Sequence, residues 1–307
     1  MLALLAPRIL QSIAVIFVVT TLVFLVSRAT GDPISTLAPM TATQEDIDEI
    51  KDREGLNDPL ISQYGLFLSR AIQLDFGESF RSNRPAMEDV YSRLWATVQL
   101  GLVAFVLTIA IGVPIGVLAA VKRGTLPDLI GRLFALIGQA APNFWLGLML
   151  IFLFAVELGW LPTSGKGDVR NLVLPAVTLA AYGAASTMRL TRSAMLEVLG
   201  SDYIRTAQAK GLRNLTVIRR HALRNALLPV VTVLGISMGQ LLSGSIVVET
   251  VFAWPGVGRL MINAIRIADF PVIQAGVIVV AAWIVFVNVI VDYSYHLLDP
   301  RVRVGAS

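Results

Sequence analysis

Six long stretches without a charged side chain dominate this 307-residue sequence and constrain its fold more than any other feature. They occupy residues 9–27, 94–121, 133–156, 171–188, 225–248 and 270–291. Each is long enough, or nearly so, to match the roughly 20 helical residues that cross the hydrocarbon core of a bilayer. Inside lipid, backbone N–H and C=O groups must be bonded within their own segment, so each stretch has to be helical. The sequence therefore predicts an all-α polytopic membrane protein with six transmembrane helices.

The composition argues against a soluble protein and excludes several kinds of site. Apolar residues make up 55% of the chain and charged residues only 15%, whereas about a quarter of a soluble domain is charged. The chain has no cysteine, which excludes disulfide frameworks, thiolate zinc sites and iron–sulfur clusters. Two histidines, His221 and His296, leave little for a histidine-built metal centre. We expect neither a metal nor a cofactor in this chain.

The distribution of Lys and Arg predicts the orientation of the helices, because short basic loops face the cytoplasm. The short loops at 122–132 and 189–224 carry eleven of these residues. The other two short loops contain only four: Lys166, Arg170, Arg259 and Arg266. With six spans, both termini are then cytoplasmic. The first stretch is too long for the apolar core of a signal peptide, so we expect it to be an uncleaved span.

The long segment 29–93 then lies outside the membrane on the opposite side. Thr43-Gln-Glu-Asp46 can cap one helix, Asn57-Asp58-Pro59 marks a turn, and residues 60–74 predict a second helix. The alternative is a disordered acidic linker. The segment is too rich in apolar residues for a solvated tether, so we expect an ordered extracytoplasmic subdomain.

The basic loop after the fourth span predicts a short helix. Ser201 and Asp202 suit a helix N-cap, 203–210 gives two turns, and Gly211 stands where a left-handed residue ends a helix. A short basic helix either rests on anionic lipid headgroups or contacts a protein partner. Its length and its small residues, Ala207, Ala209 and Gly211, favour the partner.

A second helix is expected to follow at once. It can start at Asn214 or Thr216 and continue through the basic residues into the fifth span. Pro229 removes one backbone donor just inside that span, so a kink is predicted there.

These two helices carry a resemblance to a known family. Tyr203-Ile-Arg-Thr-Ala-Gln-Ala-Lys-Gly211, followed by Arg219-Arg-His-Ala-Leu-Arg-Asn-Ala-Leu-Leu-Pro229, resembles the cytoplasmic signature loop of binding-protein-dependent ABC importer permeases. The general motif begins Glu-Ala-Ala, and Arg205-Thr206-Ala207 stands in its place with Gly211 in register. This sequence lacks the Glu, and its proline comes later than in the general motif. In both respects it resembles the first permease subunit of dipeptide/oligopeptide (nickel) importers.

The resemblance extends over nearly the whole chain through short motifs in the same order. They are Gly31-Asp-Pro33, Gly55-Leu-Asn-Asp-Pro-Leu-Ile-Ser-Gln-Tyr64, Asp75-Phe-Gly-Glu-Ser79, Ala141-Pro-Asn-Phe-Trp145, Leu161-Pro-Thr-Ser-Gly165, Glu249-Thr-Val-Phe-Ala-Trp-Pro-Gly-Val-Gly-Arg-Leu260, Asp269-Phe-Pro271 and Asp299-Pro-Arg301. Each one alone is weak, but their order and spacing together are specific.

The resemblance implies a type I ABC importer permease in a bacterial inner membrane, with a large extracytoplasmic loop between helices 1 and 2. It implies three kinds of partner besides the bilayer: a second homologous permease subunit in a heterodimer, two ATP-binding subunits that hold ATP and Mg, and an extracytoplasmic solute-binding protein. No nucleic acid is expected. The implied substrates are di- or oligopeptides, with nickel chelates, glutathione or another small solute as alternatives.

The same resemblance assigns parts of the chain to these partners. Residues 1–28 would hold the first span, 29–93 the platform for the binding protein, 94–298 the permease core with a coupling loop at 189–227, and 299–307 a cytoplasmic tail. The ATPase-coupling residues would be Ser201, Asp202, Tyr203, Thr206, Ala207, Lys210 and Gly211.

The sequence shows no catalytic or nucleotide site of its own. A phosphate-binding loop needs Gly, four residues and then Gly-Lys-Ser/Thr. In Gly159…Gly165-Lys166-Gly167 the spacing is one residue too long and the hydroxyl residue is missing. Gly256-Val-Gly258 lacks the third glycine of a dinucleotide fingerprint, and Pro255-Gly256 indicates a tight turn. ATP hydrolysis is therefore expected in other chains.

Polar residues inside the spans are candidates for a translocation path, because they are costly in lipid. The candidates are Gln139, Asn143, Gln240 and Ser243. Such side chains can equally join packed helices. Glu157, Glu249 and Asp292 lie at span ends, where water is expected to solvate them. The lack of a carboxylate in mid-span argues against the alternative of an ion-coupled secondary transporter.

Overall fold

The computed structural model describes residues 2–30, 43, 45, 48–49 and 57–298. The side chains of residues 2–9, 30, 236, 239–244 and 292–298 are not described. In the described part the regular structure is helical, apart from one isolated antiparallel bridge between Glu78 and Pro85. The predicted all-α class is confirmed. Most of the expected cap at 43–46, the Gly31-Asp-Pro33 motif and the tail 299–307 lie outside the described residues.

The helices follow the apolar stretches closely, with four shorter helices between them. They are α1 (Leu2–Thr30), α2 (Leu60–Ile72), α3 (Ala86–Val121), α4 (Leu126–Ala140), α5 (Asn143–Leu150), α6 (Val169–Leu199), α7 (Asp202–Ala209), α8 (Asn214–Thr216), α9 (Leu223–Val251), α10 (Val257–Arg266) and α11 (Phe270–Leu298). A π-helical segment, Ile151–Glu157, continues α5, and another, Val217–Ala222, joins α8 to α9. The predicted second helix of the basic loop thus runs into α9 as expected.

Four of the described helices are long and apolar enough to cross a membrane: α1, α3, α6 and α11. The single helix predicted over 133–156 is wrong. That stretch contains two helices, α4 and the α5 segment, which meet at 112° and form one broken span or a re-entrant loop. The chain breaks because Ala141 precedes Pro142 and is forced into an extended conformation, with φ −74° and ψ 125°. The fifth predicted stretch lies within α9, where several side chains are not described.

One compact unit comprises residues 97–254 together with 287 onward. In it, α6 is the central helix and packs against α4, α5 and α9. The contact of α3 with α6 is made through two glycines. A Cβ placed on Gly112 would lie 2.7 Å from the carbonyl oxygen of Ala184, and one on Gly116 would lie 2.7 Å from that of Met188. No larger residue fits at this separation, so these two glycines allow the close approach of α3 and α6.

The other unit comprises residues up to 96 together with 255–286. Its apolar core joins the start of α3 to α10 and α11, through Phe76, Ala86, Met87, Val90, Val257, Ala264, Val272, Ala275 and Ile278. Within this unit, a buried hydrogen bond of 2.7 Å from Ser79 Oγ to Asp269 Oδ2 joins the segment before α3 to the residue before α11. The segment just before α3 therefore packs with α10 and with the start of α11.

The helix α10 was not predicted. Its ten residues are too few and too polar on one side to register as an apolar stretch. Gly256, expected in a tight turn, is the extended N-cap residue of this helix, with φ −96° and ψ 177°.

Candidate coupling surface

The short helix α7 begins directly after α6 ends. Gly200 closes α6, and Ser201 is the extended N-cap residue of α7, with φ −76° and ψ 153°. Its hydroxyl does not cap α7 but donates to the carbonyl oxygen of Val198, 2.6 Å away. Asp202 lies in the first turn, where a negative charge is favoured by the helix dipole. The helix predicted over 203–210 is thus present, one residue earlier.

The end of α7 is a Schellman motif built on Gly211. This glycine has φ +77°, in the left-handed region. Its N–H donates to the carbonyl oxygen of Gln208 at 2.9 Å, and the N–H of Leu212 donates to that of Ala207 at 3.4 Å. These are the two bonds that define the motif. The prediction of a left-handed residue at Gly211 is confirmed.

One side of α7 is fixed to the body of its unit. Ile204 and Ala207 are buried in a cluster with Ala120 of α3, with Met195 of α6 and with residues around the start of α9, such as Ala222. Four helical elements therefore meet at this cluster. The sequence placed Ala207 among the residues that contact an ATPase. Its side chain is instead buried within the chain, because it shares a helix side with Ile204, so its contribution is packing.

The other side of α7 is exposed and polar. Asp202, Thr206 and Lys210 are exposed, together with the backbone of Gly211. Tyr203 is 44% exposed, and its hydroxyl accepts a 2.8 Å hydrogen bond from Asn225 Nδ2 in α9. The Arg205–Asp202 ion pair, at 3.3 Å, is solvent-exposed and contributes little to stability. The described residues thus present an exposed polar surface on a firmly anchored helix.

Two leucines beside α7 were missed by the sequence analysis. Leu212 and Leu215 are 39% and 61% exposed in an otherwise basic loop. Exposed apolar side chains are informative only once burial is known, because in the sequence they resemble ordinary core residues.

A buried ion pair connects α4 to α6 in the same unit. Arg192 Nε lies 2.7 Å from Asp128 Oδ1, and Arg192 Nη2 lies 3.1 Å from Oδ2. The backbone N–H of Gly124 donates to the same carboxylate at 3.0 Å. Only 2% of the Asp128 side chain is exposed. A bidentate pair of this kind fixes both distance and orientation. The pair cannot be recognised from the sequence alone, since its two residues are 64 positions apart.

Two of the four candidates for a translocation path lie at the break between α4 and α5. Gln139 is in the last turn of α4, and Asn143 is the first residue of α5. Both side chains are partly buried, and Gln139 Nε2 is buried without a hydrogen-bond acceptor among the described residues. Broken backbone at membrane depth is tolerated where it is buried in protein or lines a water-filled cavity. The side chains of Gln240 and Ser243 lie outside the described part.

The expectation that water solvates Glu249 is wrong. Its side chain is fully buried, and Thr97 Oγ1 donates to Glu249 Oε1 at 2.8 Å. The chain turns back after α9, where the N–H of Trp254 donates to the carbonyl oxygen of Glu249 at 2.8 Å. The returning segment buries Phe252 and Trp254 and so covers the end of the helix. A buried carboxylate is therefore present, and the argument against a secondary transporter cannot rest on its absence.

Comparison with known proteins settles the family. Residues 112–304 match the family described as binding-protein-dependent transport system inner membrane component. Residues 1–101 match the family of the N-terminal part of such membrane components. The chain belongs to this permease family. It is the non-catalytic membrane component of a bacterial binding-protein-dependent ABC importer, and it is a multi-pass membrane protein.

The permease has relatives along its full length. It is 41% identical over 297 residues to the glutathione transport system permease protein GsiC of Escherichia coli (strain K12), with 96% of this chain and 97% of the relative covered. It is 39% identical over 332 residues to the dipeptide transport system permease protein DppB of Alkalihalophilus pseudofirmus, with 99% and 100% covered.

Solved structures show the same fold. An inward-facing structure of the MetNI methionine ABC transporter matches with a TM-score of 0.57 at 20% identity, covering 69% of the permease and 97% of that chain. An amino acid ABC transporter with histidines matches with a TM-score of 0.52 at 16% identity, covering 70% and 94%. The expected ABC importer permease fold is therefore confirmed. Partner ATPases and a binding protein follow from the family.

Proposed function

We propose that this permease forms half of a translocation path for short peptides, a class that includes dipeptides and the tripeptide glutathione. Support comes from two full-length relatives at about two-fifths identity, one named for glutathione and one for dipeptides. The other half of the path is supplied by a second, homologous permease subunit. An extracytoplasmic binding protein delivers the peptide.

The helix α7 is the element that couples the permease to ATP hydrolysis. The observation that carries this assignment is the contrast between its two sides. Ile204 and Ala207 are locked into a cluster with α3, α6 and α9, while Asp202, Thr206 and Lys210 face outward. A helix anchored in this way moves as a rigid body with the helices that hold it. Each of two ATP-binding subunits receives one such helix, one from each permease subunit, and the exposed Leu212 and Leu215 extend the contact.

Six spans place α7 and both termini in the cytoplasm and residues 29–93 outside the inner membrane. The excess of Lys and Arg in the α7 loop supports this orientation, and α9 supplies a continuous helix for the fifth span. Because the chain has no cysteine, single-cysteine variants test the orientation directly. Arg81→Cys should react with a membrane-impermeant maleimide in intact cells, and Arg213→Cys should react only after the cells are opened. The reverse pattern would refute the topology.

The break between α4 and α5 lines the path. Gln139 and Asn143 bring amide groups to a point where the helix is interrupted, and an amide pair can bind peptide backbone groups without a net charge. Broken helices of this kind form substrate sites in other transporters. The amides of Gln240 and the hydroxyl of Ser243 are assigned to the same path from the sequence.

Reconstitution tests the transport activity. The permease is purified with its second permease subunit and both ATP-binding subunits, and is placed in liposomes with the binding protein added outside. Uptake of labelled glutathione and of a labelled dipeptide should require internal ATP and the binding protein. Uptake by this permease alone, driven by an ion gradient, would refute the importer mechanism. Transport of a nickel chelate but of neither peptide would refute only the substrate class.

A further inference from the structure

The helix α2 belongs to the segment 29–93, which we place outside the membrane, but its composition does not suit a platform surrounded by water. It follows the turn at Asn57-Asp58-Pro59, runs over Leu60–Ile72, and none of its residues is fully buried. Its sequence is nevertheless mostly apolar. A water-exposed helix of this composition needs a partner for its apolar side.

Part of that side is covered by α1. The hydroxyls of Tyr64 and Thr21 are hydrogen-bonded at 2.6 Å. The ring of Phe24 lies 5.2 Å from the ring of Tyr64 and 5.4 Å from that of Phe67, measured between centroids. Phe24 itself is buried. The contact fixes the position of α2 along α1.

The contact between α1 and α2 lies within the membrane span of α1, several residues before the span ends. The apolar span of α1 covers Leu10–Ala29. Phe24 precedes Ala29 by five residues, or about 7.5 Å of helix, and Thr21 by eight, or about 12 Å. Interfacial helices bury their apolar side about 5–10 Å into the boundary between headgroups and acyl chains. Phe67, which packs against Phe24, therefore lies at the depth of an interfacial helix, and Tyr64, which is bonded to Thr21, lies about 2 Å below that range.

Three further apolar residues of α2 form a ridge, in which Ile61 and Ile72 are exposed and Leu68 is partly buried. Ile61, Leu68 and Ile72 are spaced seven and four residues apart and so share one side of the helix. Ile61 is 76% exposed and Ile72 84%. Away from the contact with α2, α1 exposes leucine and valine side chains toward the surroundings of the span, at Leu22, Leu25 and Val26.

The side of α2 opposite to its contact with α1 is suited to water. Ser62, Ser69 and Arg70 lie there and are exposed, with Leu66 as the apolar exception. The helix thus has one side for α1, one apolar ridge and one polar side, which is the arrangement of a helix lying in a membrane surface.

We propose that α2 is an interfacial helix whose ridge of Ile61, Leu68 and Ile72 inserts among the lipid acyl chains of the leaflet next to the end of α1. The occupant of the ridge is lipid, because Thr21 and Phe24 hold α2 at membrane depth against a helix that exposes Leu22, Leu25 and Val26 on its other sides. A binding protein would then dock on the rest of the extracytoplasmic segment. The inference depends on membrane insertion of α1 and not on the substrate or the coupling role.

Single cysteines can locate the ridge, because the natural chain has none. Ile61→Cys and Ile72→Cys report on the ridge, and Ser62→Cys and Ser69→Cys are matched controls on the polar side of the same helix. Each variant of the full chain, purified with the subunits that accompany it, is labelled with an environment-sensitive dye. The labelled proteins are placed in nanodiscs made from lipids with or without bromine on the acyl chains.

Brominated lipid should cause a loss of fluorescence at residues 61 and 72 and little loss at 62 and 69. Spin labels at the same four positions give an independent measurement: the ridge should be accessible to oxygen, and the polar side to a water-soluble nickel complex. Equal quenching at all four positions, or none at 61 and 72, would overturn the proposal. Ridge labels that face water until the binding protein covers them would assign the ridge to that protein instead.

Discussion

Replacing Gly116 by alanine should destabilise the contact between α3 and α6. A Cβ at this position would lie 2.7 Å from both the carbonyl oxygen of Met188 and the Cβ of Thr191. Ordinary van der Waals contact begins at 3.4 Å, so the two helices must separate by the 0.7 Å that is missing. One of the obstacles is backbone, which cannot rotate away. Overpacking of this kind costs about 1–3 kcal/mol.

Gly101→Ala is the matched control. Gly101 lies on the same helix, and a Cβ there would have no neighbour within 4 Å. Alanine favours a helix over glycine by about 1 kcal/mol. This gain applies to both variants and cancels when they are compared, so the difference between their unfolding free energies isolates the contact at Gly116. Gly116→Ala should be the less stable by about 1–3 kcal/mol.

The measurement is denaturant unfolding of the purified permease in mixed micelles, followed by the fluorescence of its five tryptophans. The midpoint of Gly116→Ala should fall below that of Gly101→Ala at an unchanged slope, since a slope change would indicate a different unfolding process. Equal stability within about 0.5 kcal/mol, the range of a substitution without consequence, would refute the close contact between α3 and α6.

Three further substitutions test the elements around α7 and the end of α9. Gly211→Val should reduce ATP-driven uptake while leaving the protein in the membrane, because valine resists φ +77°, whereas Gly211→Asn, which tolerates that conformation, should retain most uptake. Asp128→Asn should lower uptake, because it removes the charge that holds Arg192 and so weakens the connection between α4 and α6. The maleimide topology test is the control for membrane insertion. Full uptake by this variant would contradict a functional role for the ion pair. Thr97→Val should cost about 1.5–3 kcal/mol in the same unfolding assay, since it removes a donor to the buried carboxylate of Glu249, and Thr97→Ser should restore it.

Local signals explain why α7 could be predicted to within one residue. Gly211 at the C-terminus acts on neighbouring backbone, so its effect is visible in the sequence. Ser201 occupies the N-cap position as expected, although its hydroxyl does not cap α7. The break after Ala141 was equally local, but Pro142 stands within an uninterrupted apolar stretch. Composition indicates only that such a stretch enters the membrane, and not that it does so as one helix.

Other features depend on contacts between distant residues. The pairing of Asp128 with Arg192 and of Thr97 with Glu249 joins residues 64 and 152 positions apart. A charged residue at the end of a span normally reaches water, and Glu249 does not, because the chain turns back and covers it. The position of Ala207 also depends on distant residues. Its small size suggested room for a partner, but its side chain is buried against other helices of the chain.

The hydrogen bond between Ser79 and Asp269 has a consequence for biogenesis. The ribosome makes the first of these residues 190 positions before the second. Phe76 and Val90 leave the insertion machinery well before Val257 and Val272 exist to cover them. Nascent permease therefore passes through most of its synthesis with this cluster open, and only the arrival of the final span allows it to close.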